Sequence, residues 1–494
     1  MNKLSTKAIA AVLAALMLLC LTACATPSNT GDETTTAAAG VSDDATPETT
    51  EDPAEKLSLP EDLNLGGATM GVLYWSDVEN LEFFSADPSN IVDKVEDAIN
   101  RRNRMVEDRM QVSLDFIPQK GNAGNLKSFV SFIDSSIQSG DHSFDIVAGY
   151  SQTMANAAYN NYLYDLNSVE YLDLNKPWWP SLLTKEATVN DRIFFVSGDI
   201  STNLLYMMYT VFFNKSLLET RPDLASPYAL VSSNEWTTDK LIEMCTDFYR
   251  NLDDDPTKSK GDQFGLVLPQ LSLDALFYGA GMRTTEKTEN GTLVAAESFF
   301  GERSQSLLEK MEHLCYDSDD GLWKGGTEIF ASGRALFHID RAVSAIKHFG
   351  GDVEIDFGVV PAPKWEKDQE DYYTCAGNPF TLYGIVTNSS DPNMAAAVLE
   401  CWAYNAYNIT TPAVFEVSMK TRYAKDSETA QMYDLIRDGV TFDLGRIYGI
   451  TLQDMTQTLY RNAMTNRTQW SRTKISKGKL LNTLLEGVNE AYFK

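Results

Sequence analysis

The sequence predicts an α/β fold built on a mostly parallel sheet, and three observations carry that expectation. Strand-like and helix-like stretches alternate as β-α-β-α-β over residues 68–149. Helical stretches in the second half carry clear N-terminal punctuation, and no internal repeat interrupts them. The globular part, roughly 430 residues, is too large for one core at 43% hydrophobic content, so two domains are expected.

The first element is a leader. Lys3 and Lys7 precede an apolar run over residues 8–21 that ends in Leu21-Thr22-Ala23-Cys24. The run is too short for a comfortable membrane span, and a small residue before a cysteine fits a lipobox. A signal peptide over residues 1–23 is expected, with Cys24 acylated as the new N-terminus; an ordinary secretory signal or an uncleaved anchor would leave the compartment unchanged. Residues 25–62 are then rich in Thr, Ala, Asp, Glu and Pro, with Lys56 as their one positive charge. Such a segment buries too little surface to fold, so residues 24–63 are expected to form a disordered acidic tether ahead of a body at 64–494.

Within the body, Ala68-Thr69-Met70-Gly71-Val72-Leu73-Tyr74-Trp75 reads as the first strand. A helix over 91–110, a strand over 111–117, a helix over 126–139 and a strand over 144–149 follow. Ligands in parallel sheets bind beyond the carboxyl ends of strands, which points at Tyr74, Trp75 and Ser76 and at Tyr150, Ser151 and Gln152. Further on, Thr237 reads as an N-cap with Asp239 in the first turn and Leu241, Met244, Cys245 and Phe248 on one face. Asp391-Pro392 opens another helix in the same way, ahead of Val398, Leu399 and Trp402.

Composition excludes several functions. The formal net charge of −28 becomes more negative once Lys3 and Lys7 are removed, which argues against nucleic acid and against a peripheral grip on anionic lipid. The acyl chain on Cys24 is left as the membrane contact. Cys245, Cys315, Cys375 and Cys401 are widely spaced without a CxxC pair, which disfavours structural zinc; disulfides and buried thiols both fit their spacing. The acidic stretch 253–262 places Lys258 where a calcium loop needs glycine and Phe264 where it needs a bidentate glutamate. No metal and no cofactor are expected.

Several motifs carry a family resemblance. Tyr209-Thr210-Val211-Phe212-Phe213-Asn214-Lys215-Ser216-Leu217-Leu218-Glu219 resembles the strand-to-helix passage of extracellular solute-binding proteins of the family that includes maltose- and oligosaccharide-binding proteins. In the same order follow Phe144-Asp145-Ile146-Val147, Leu163-Tyr164-Asp165-Leu166, Asn234-Glu235-Trp236-Thr237, Phe330-Ala331-Ser332-Gly333-Arg334-Ala335-Leu336-Phe337 and Phe357-Gly358-Val359-Val360-Pro361-Ala362-Pro363, each where that family has a comparable segment. The likeness covers most of the body, although the region after Ala413 fits the larger members better than the compact ones. It implies a two-lobe periplasmic-binding-protein-like fold of type II, with the ligand held in a cleft between lobes that close on it. By analogy one lobe would hold about 64–175 plus a return segment at 334–356, and the other about 210–330 plus most of 357–494.

The resemblance further implies a monomeric, lipid-anchored protein on the extracytoplasmic face of the cell membrane. It would deliver a small solute, a carbohydrate or oligosaccharide, to the permease subunits of an ABC transporter. Sugars present apolar C–H faces and rings of hydroxyls, so their sites combine aromatic platforms with planar polar groups. The ligand-binding candidates are Tyr74, Trp75, Tyr150, Asp199, Trp323, Asp340, Trp365 and Tyr373, with Trp178, Trp179, Arg341 and Asn378 in the wider pool. A secreted glycoside hydrolase would instead need two carboxylates flanking a sugar, and an acid-rich chain always offers pairs. The four histidines and the absence of HExxH, GxSxG or a phosphate loop speak against other enzymes, whereas a ligand-binding partner of a membrane sensor would share every feature above.

Overall fold

The alternation over residues 68–149 folds as expected. The computed structural model describes residues 55–85, 89, 91, 93–253, 255–349, 355–415, 419 and 427–493. The leader, Cys24 and the tether up to residue 54 lie outside them. The described elements belong to a unit spanning Asp52–Lys494. The strands, in chain order, are β1 (Ala68–Trp75), β2 (Val112–Gln119), β3 (Ile146–Tyr150), β4 (Tyr209–Asn214), β5 (Phe264–Leu268), β6 (Thr285–Lys287), β7 (Leu293–Ala295), β8 (Gly321–Trp323), β9 (Ala335–Arg341), β10 (Phe357–Val360), β11 (Thr374–Cys375), β12 (Thr381–Ile385) and β13 (Val440–Thr441). The helices used below are α1 (Lys94–Met110), α2 (Leu126–Ser139), α3 (Ser151–Tyr159), α4 (Leu273–Gly279), α5 (Pro392–Asn405), α6 (Ser427–Asp438), α7 (Thr458–Asn466) and α8 (Trp470–Phe493).

Among the described residues, β12-β3-β1-β2 form one sheet and β10-β4-β9-β5-β8 another, each the centre of a lobe. In the first sheet β2 and β3 run parallel to β1, and β12 closes the edge antiparallel to β3. In the second, β8 and β9 run parallel to β5, whereas β4 and β10 are antiparallel additions. Helix α1 starts on Asp93, whose carboxylate accepts from the amides of Val95 and Glu96, and it ends where Gln111 turns left-handed at φ 47°. Gln111 is therefore a cap, and the strand expected from it begins at Val112. Thr237 and Asp391 cap their helices as expected.

Two boundaries differ from expectation. Residues 55–63 are not tether: Leu57, Leu59, Leu63 and Leu65 pack against the core, Arg109 donates to the carbonyls of Leu63 (2.9 Å) and Pro60 (2.6 Å), and Lys176 donates to that of Lys56 (2.8 Å). The return segment of the first lobe is not 334–356, because β9 pairs with β4 and β5 in the second sheet. The first lobe is completed instead by β12 and by α5, which packs on α1.

The chain crosses between lobes at residues 197–208, again between β11 and β12, and again between α5 and α6. Met208 pairs with Ala376, so backbone from the first two passages runs side by side, and β11 pairs with β13 next to them. The first crossing is clamped by buried Glu82, whose carboxylate accepts from the hydroxyl of Tyr383 (2.7 Å), the side-chain amide of Asn203 (2.7 Å) and the hydroxyl of Ser201 (3.2 Å). Buried Arg102 donates to the Glu82 carbonyl (2.8 Å).

Candidate functional site: the cleft between the lobes

The carboxyl ends of β1 and β3, at Trp75 and Tyr150, meet the first residue of β12 along one edge of the first sheet. In the second sheet the ends of β5, β8 and β9 share an edge with Tyr209, the first residue of β4. Arg341, at the end of β9, donates to Glu79, four residues beyond β1, at 2.9 Å, so the two edges face each other across a cleft. Arg341 lies along the crossing backbone because Gly377 has no side chain; a Cβ there would stand 3.1 Å from Arg341 Cδ.

Beside this pair a cavity of about 260 Å³ opens, lined by Tyr209, Gln270, Thr327, Arg341, Lys347 and His348 among others. A second space of about 160 Å³ adjoins it through Val343 and Lys347 and is walled on the first-lobe side by Asn80, Leu81 and Glu96. This lining is rich in hydrogen-bonding side chains and suits a hydroxylated solute. Asp340, also in the wall, is already engaged: it accepts from Thr327 Oγ1 (3.1 Å), Ser344 Oγ (2.7 Å) and the Arg341 amide (2.8 Å). Burial works to raise its pKa, but His338 and these donors outweigh it and hold the carboxyl well below the usual range.

The other end of the cleft is occupied by the chain itself. Asp274 on α4, just past β5, takes ion pairs from Arg446 and Arg461, all three buried. The Arg446 carbonyl accepts from Gln152 at the start of α3 (3.1 Å) and from Gln457 (2.8 Å), and Gln457 in turn accepts from Asn378 (3.1 Å). Burial would raise the Asp274 pKa, yet the two guanidinium groups lower it.

A larger cavity of about 380 Å³ lies beside the crossing segments, bounded by Pro177, Leu182, Asp199, Met208, Tyr407 and Arg437 among others. None of its lining residues comes from the ends of β1, β3, β5 or β9. Its charged groups serve each other: Arg437 donates to Asp199 at 3.2 Å, and burial still raises the Asp199 pKa against that pull. The smaller cavity, at the strand ends, is the better candidate for the ligand.

Apart from Asp199, which lines the larger cavity, and Asn378, which donates to Gln457, the candidates proposed from sequence fall into four groups. Tyr150, Asp340 and Arg341 stand at the cleft; Tyr150 is nearly buried and burial pushes its hydroxyl up to about 12. Trp75 is fully buried, its indole donating to Thr381 Oγ1 (2.9 Å), and Tyr74 packs against Phe83, Phe84 and Phe116, so neither ring offers a free platform. Trp323 donates to Thr465 (3.3 Å) beneath α7, Trp365 lies between Arg303 and Lys310, and Tyr373 lies under Arg283; none lines the cleft cavity. Trp178 and Trp179 are core, the latter donating to Glu400 (2.9 Å). Sequence reasoning missed Glu79, Gln270 and Lys347; the strand-end rule applied to β5 would have found Gln270. Cys245, Cys315, Cys375 and Cys401 are buried free thiols, with the last three pushed up to about 12 chiefly by burial. The 253–262 turn binds itself, Asp262 accepting from the amides of Leu252 and Ser259.

No family model matches the chain, and no curated protein matches it. Solved structures do. The galacto-N-biose-/lacto-N-biose I-binding protein of the ABC transporter from Bifidobacterium longum, in complex with lacto-N-biose, superposes with a TM-score of 0.56 at 9% identity, covering 86% of this chain and 98% of that one. The GacH receptor of Streptomyces glaucescens, solved with acarbose, gives 0.53 at 14% identity over 85% and 99%. Maltose-bound MalE from Listeria monocytogenes gives 0.51 at 13% identity over 86% and 97%. At these identities the likeness is one of fold: the chain has the two-lobe architecture of periplasmic binding proteins of the maltose-binding type.

Proposed function

We propose that this protein is a lipid-anchored, extracytoplasmic solute-binding protein that holds a small carbohydrate between its lobes and delivers it to an ABC transporter. The observation that carries the reading is the pair of facing strand edges, with a hydroxyl-, amide- and cation-lined cavity at the second-lobe edge and an adjoining space walled by residues of both lobes. The fold neighbours are sugar-binding transporter components, which supports a carbohydrate as cargo. The lipobox at Cys24 supports anchoring, and replacing Cys24 by Ser would release the chain into the medium. Binding is favoured over hydrolysis because the cleft carboxylates are engaged. Glu79 pairs with Arg341, Asp274 with two arginines, and Asp340 sits far below the raised pKa a general acid needs.

A thermal-shift screen of the chain from Ala25 to Lys494 against sugars, amino acids, peptides and polyamines tests the cargo. A sugar at one hundred times its dissociation constant adds about 2.7 kcal/mol to the folded state and raises Tm. A shift confined to a non-sugar class overturns the carbohydrate assignment. Uptake of the identified solute that persists after deletion of this chain overturns the transport role.

A further inference from the structure

We infer that the site takes a short carbohydrate of one or two rings and excludes longer oligosaccharides, because the C-terminal segment of the chain walls off one end of the cleft. The inference rests on the carbohydrate reading above and adds the length of the ligand to it.

The wall is built from residues 443–465 and is fixed to both lobes. On the second-lobe side Asp443 accepts from the amide and hydroxyl of Thr284 (2.6 and 2.7 Å) and from the hydroxyl of Thr285 (2.8 Å). Arg461 Nε donates to Asp274 at 2.8 Å, and Thr465 receives the indole N–H of Trp323 at the end of β8. On the first-lobe side Gln152 reaches the Arg446 carbonyl, and Asn156 donates to Thr451 (3.2 Å). Arg446 also donates to the carbonyl of Ala376 in a crossing segment (3.0 Å).

The ends of β3 and β8 thus face protein, and among the described residues the space beside the ends of β5 and β9, the start of β4 and the Glu79–Asn80 turn remains open. The ion pairs inside the wall are buried, so a ligand cannot displace them without leaving charges unpaired in a dry interior. The open cavity of about 260 Å³ and the adjoining space of about 160 Å³ together fall in the lower part of the roughly 300–1,000 Å³ of pockets that enclose drug-sized ligands. Extension of a longer chain towards the end of β3 would meet Arg446 and Gln457, which Gln152 and Asn378 hold there.

Isothermal titration of the chain from Ala25 to Lys494 with one- to four-unit members of an α-1,4-glucan and a β-1,4-xylan series tests this. The expected result is tightest binding at one or two units and a loss of about tenfold or more at four, as a built-in clash produces. Affinity that keeps rising to the tetrasaccharide overturns the inference and leaves the carbohydrate reading intact. Absence of binding by both series, together with absence of any sugar response in the wider thermal-shift screen, overturns the carbohydrate reading and the inference with it.

Discussion

A tryptophan and a glutamate show how burial assigns roles that residue type leaves open. Trp75 follows the first strand, where the strand-end rule seeks ligand contacts, yet its ring is enclosed and packs 5.6 Å from Tyr150. Trp75→Ala is expected to destabilise the protein by about 3–5 kcal/mol, the usual cost of emptying an aromatic site, measured by denaturant unfolding. Retained stability with lost sugar affinity would restore Trp75 as a platform. Glu400 is fully buried among the Trp178–Trp179 loop, and burial, opposed by the Trp179 indole and the Asp173 amide, raises its pKa to about 7. Its folded pKa exceeds the unfolded value of about 4.3, so the stability it contributes is complete below pH 4.3 and lost as pH rises through about 7. Glu400→Gln is therefore expected to raise Tm at pH 8, by at most the equivalent of about 4 kcal/mol, with the gap closing towards pH 4.5. An unchanged gap across that window would refute the assignment. Neither burial was visible in the sequence, because an isolated Trp or Glu has no neighbours to show whether water reaches it.

At the level of elements, local chemistry was the readable part. β1, α2 and the capped helices behind Thr237 and Asp391 form where period, caps and proline placement put them, since those forces act within a few residues. The placement of β9 and the docking of residues 55–63 were misread because strand pairing and leucine burial are settled by partners far along the chain. The C-terminal segment is the clearest case: its anchors, Asp274, Thr284 and Gln152, lie 159 to 294 positions away. Asp274→Ala would leave Arg446 and Arg461 buried without a counter-charge and is expected to cost about 3–5 kcal/mol, against about 0–1 for the exposed Arg303–Glu366 pair. Equal and small losses in denaturant melts of both variants would mean that the segment is not held by this charge cluster.

For the whole molecule, no helix among the described residues is long and apolar enough to cross a membrane, and the leader and Cys24 lie outside those residues. Five of the eight proposed ligand contacts, Tyr74, Trp75, Trp323, Trp365 and Tyr373, turn out to be packed or stacked away from the cleft cavity, because an acid-rich, aromatic-rich chain supplies more candidate platforms than one cleft can use. By itself the sequence determined the α/β class, the alternation of strands and helices over residues 68–149 and the caps of individual helices, all of which depend on neighbouring residues. Only the tertiary structure decided which strand completes each lobe, that Arg341 meets Glu79 across the cleft, and that residues 443–465 close one end of it. Those outcomes depend on hydrogen bonds and charge pairs between residues hundreds of positions apart, formed where water is excluded and one partner's desolvation must be matched by another.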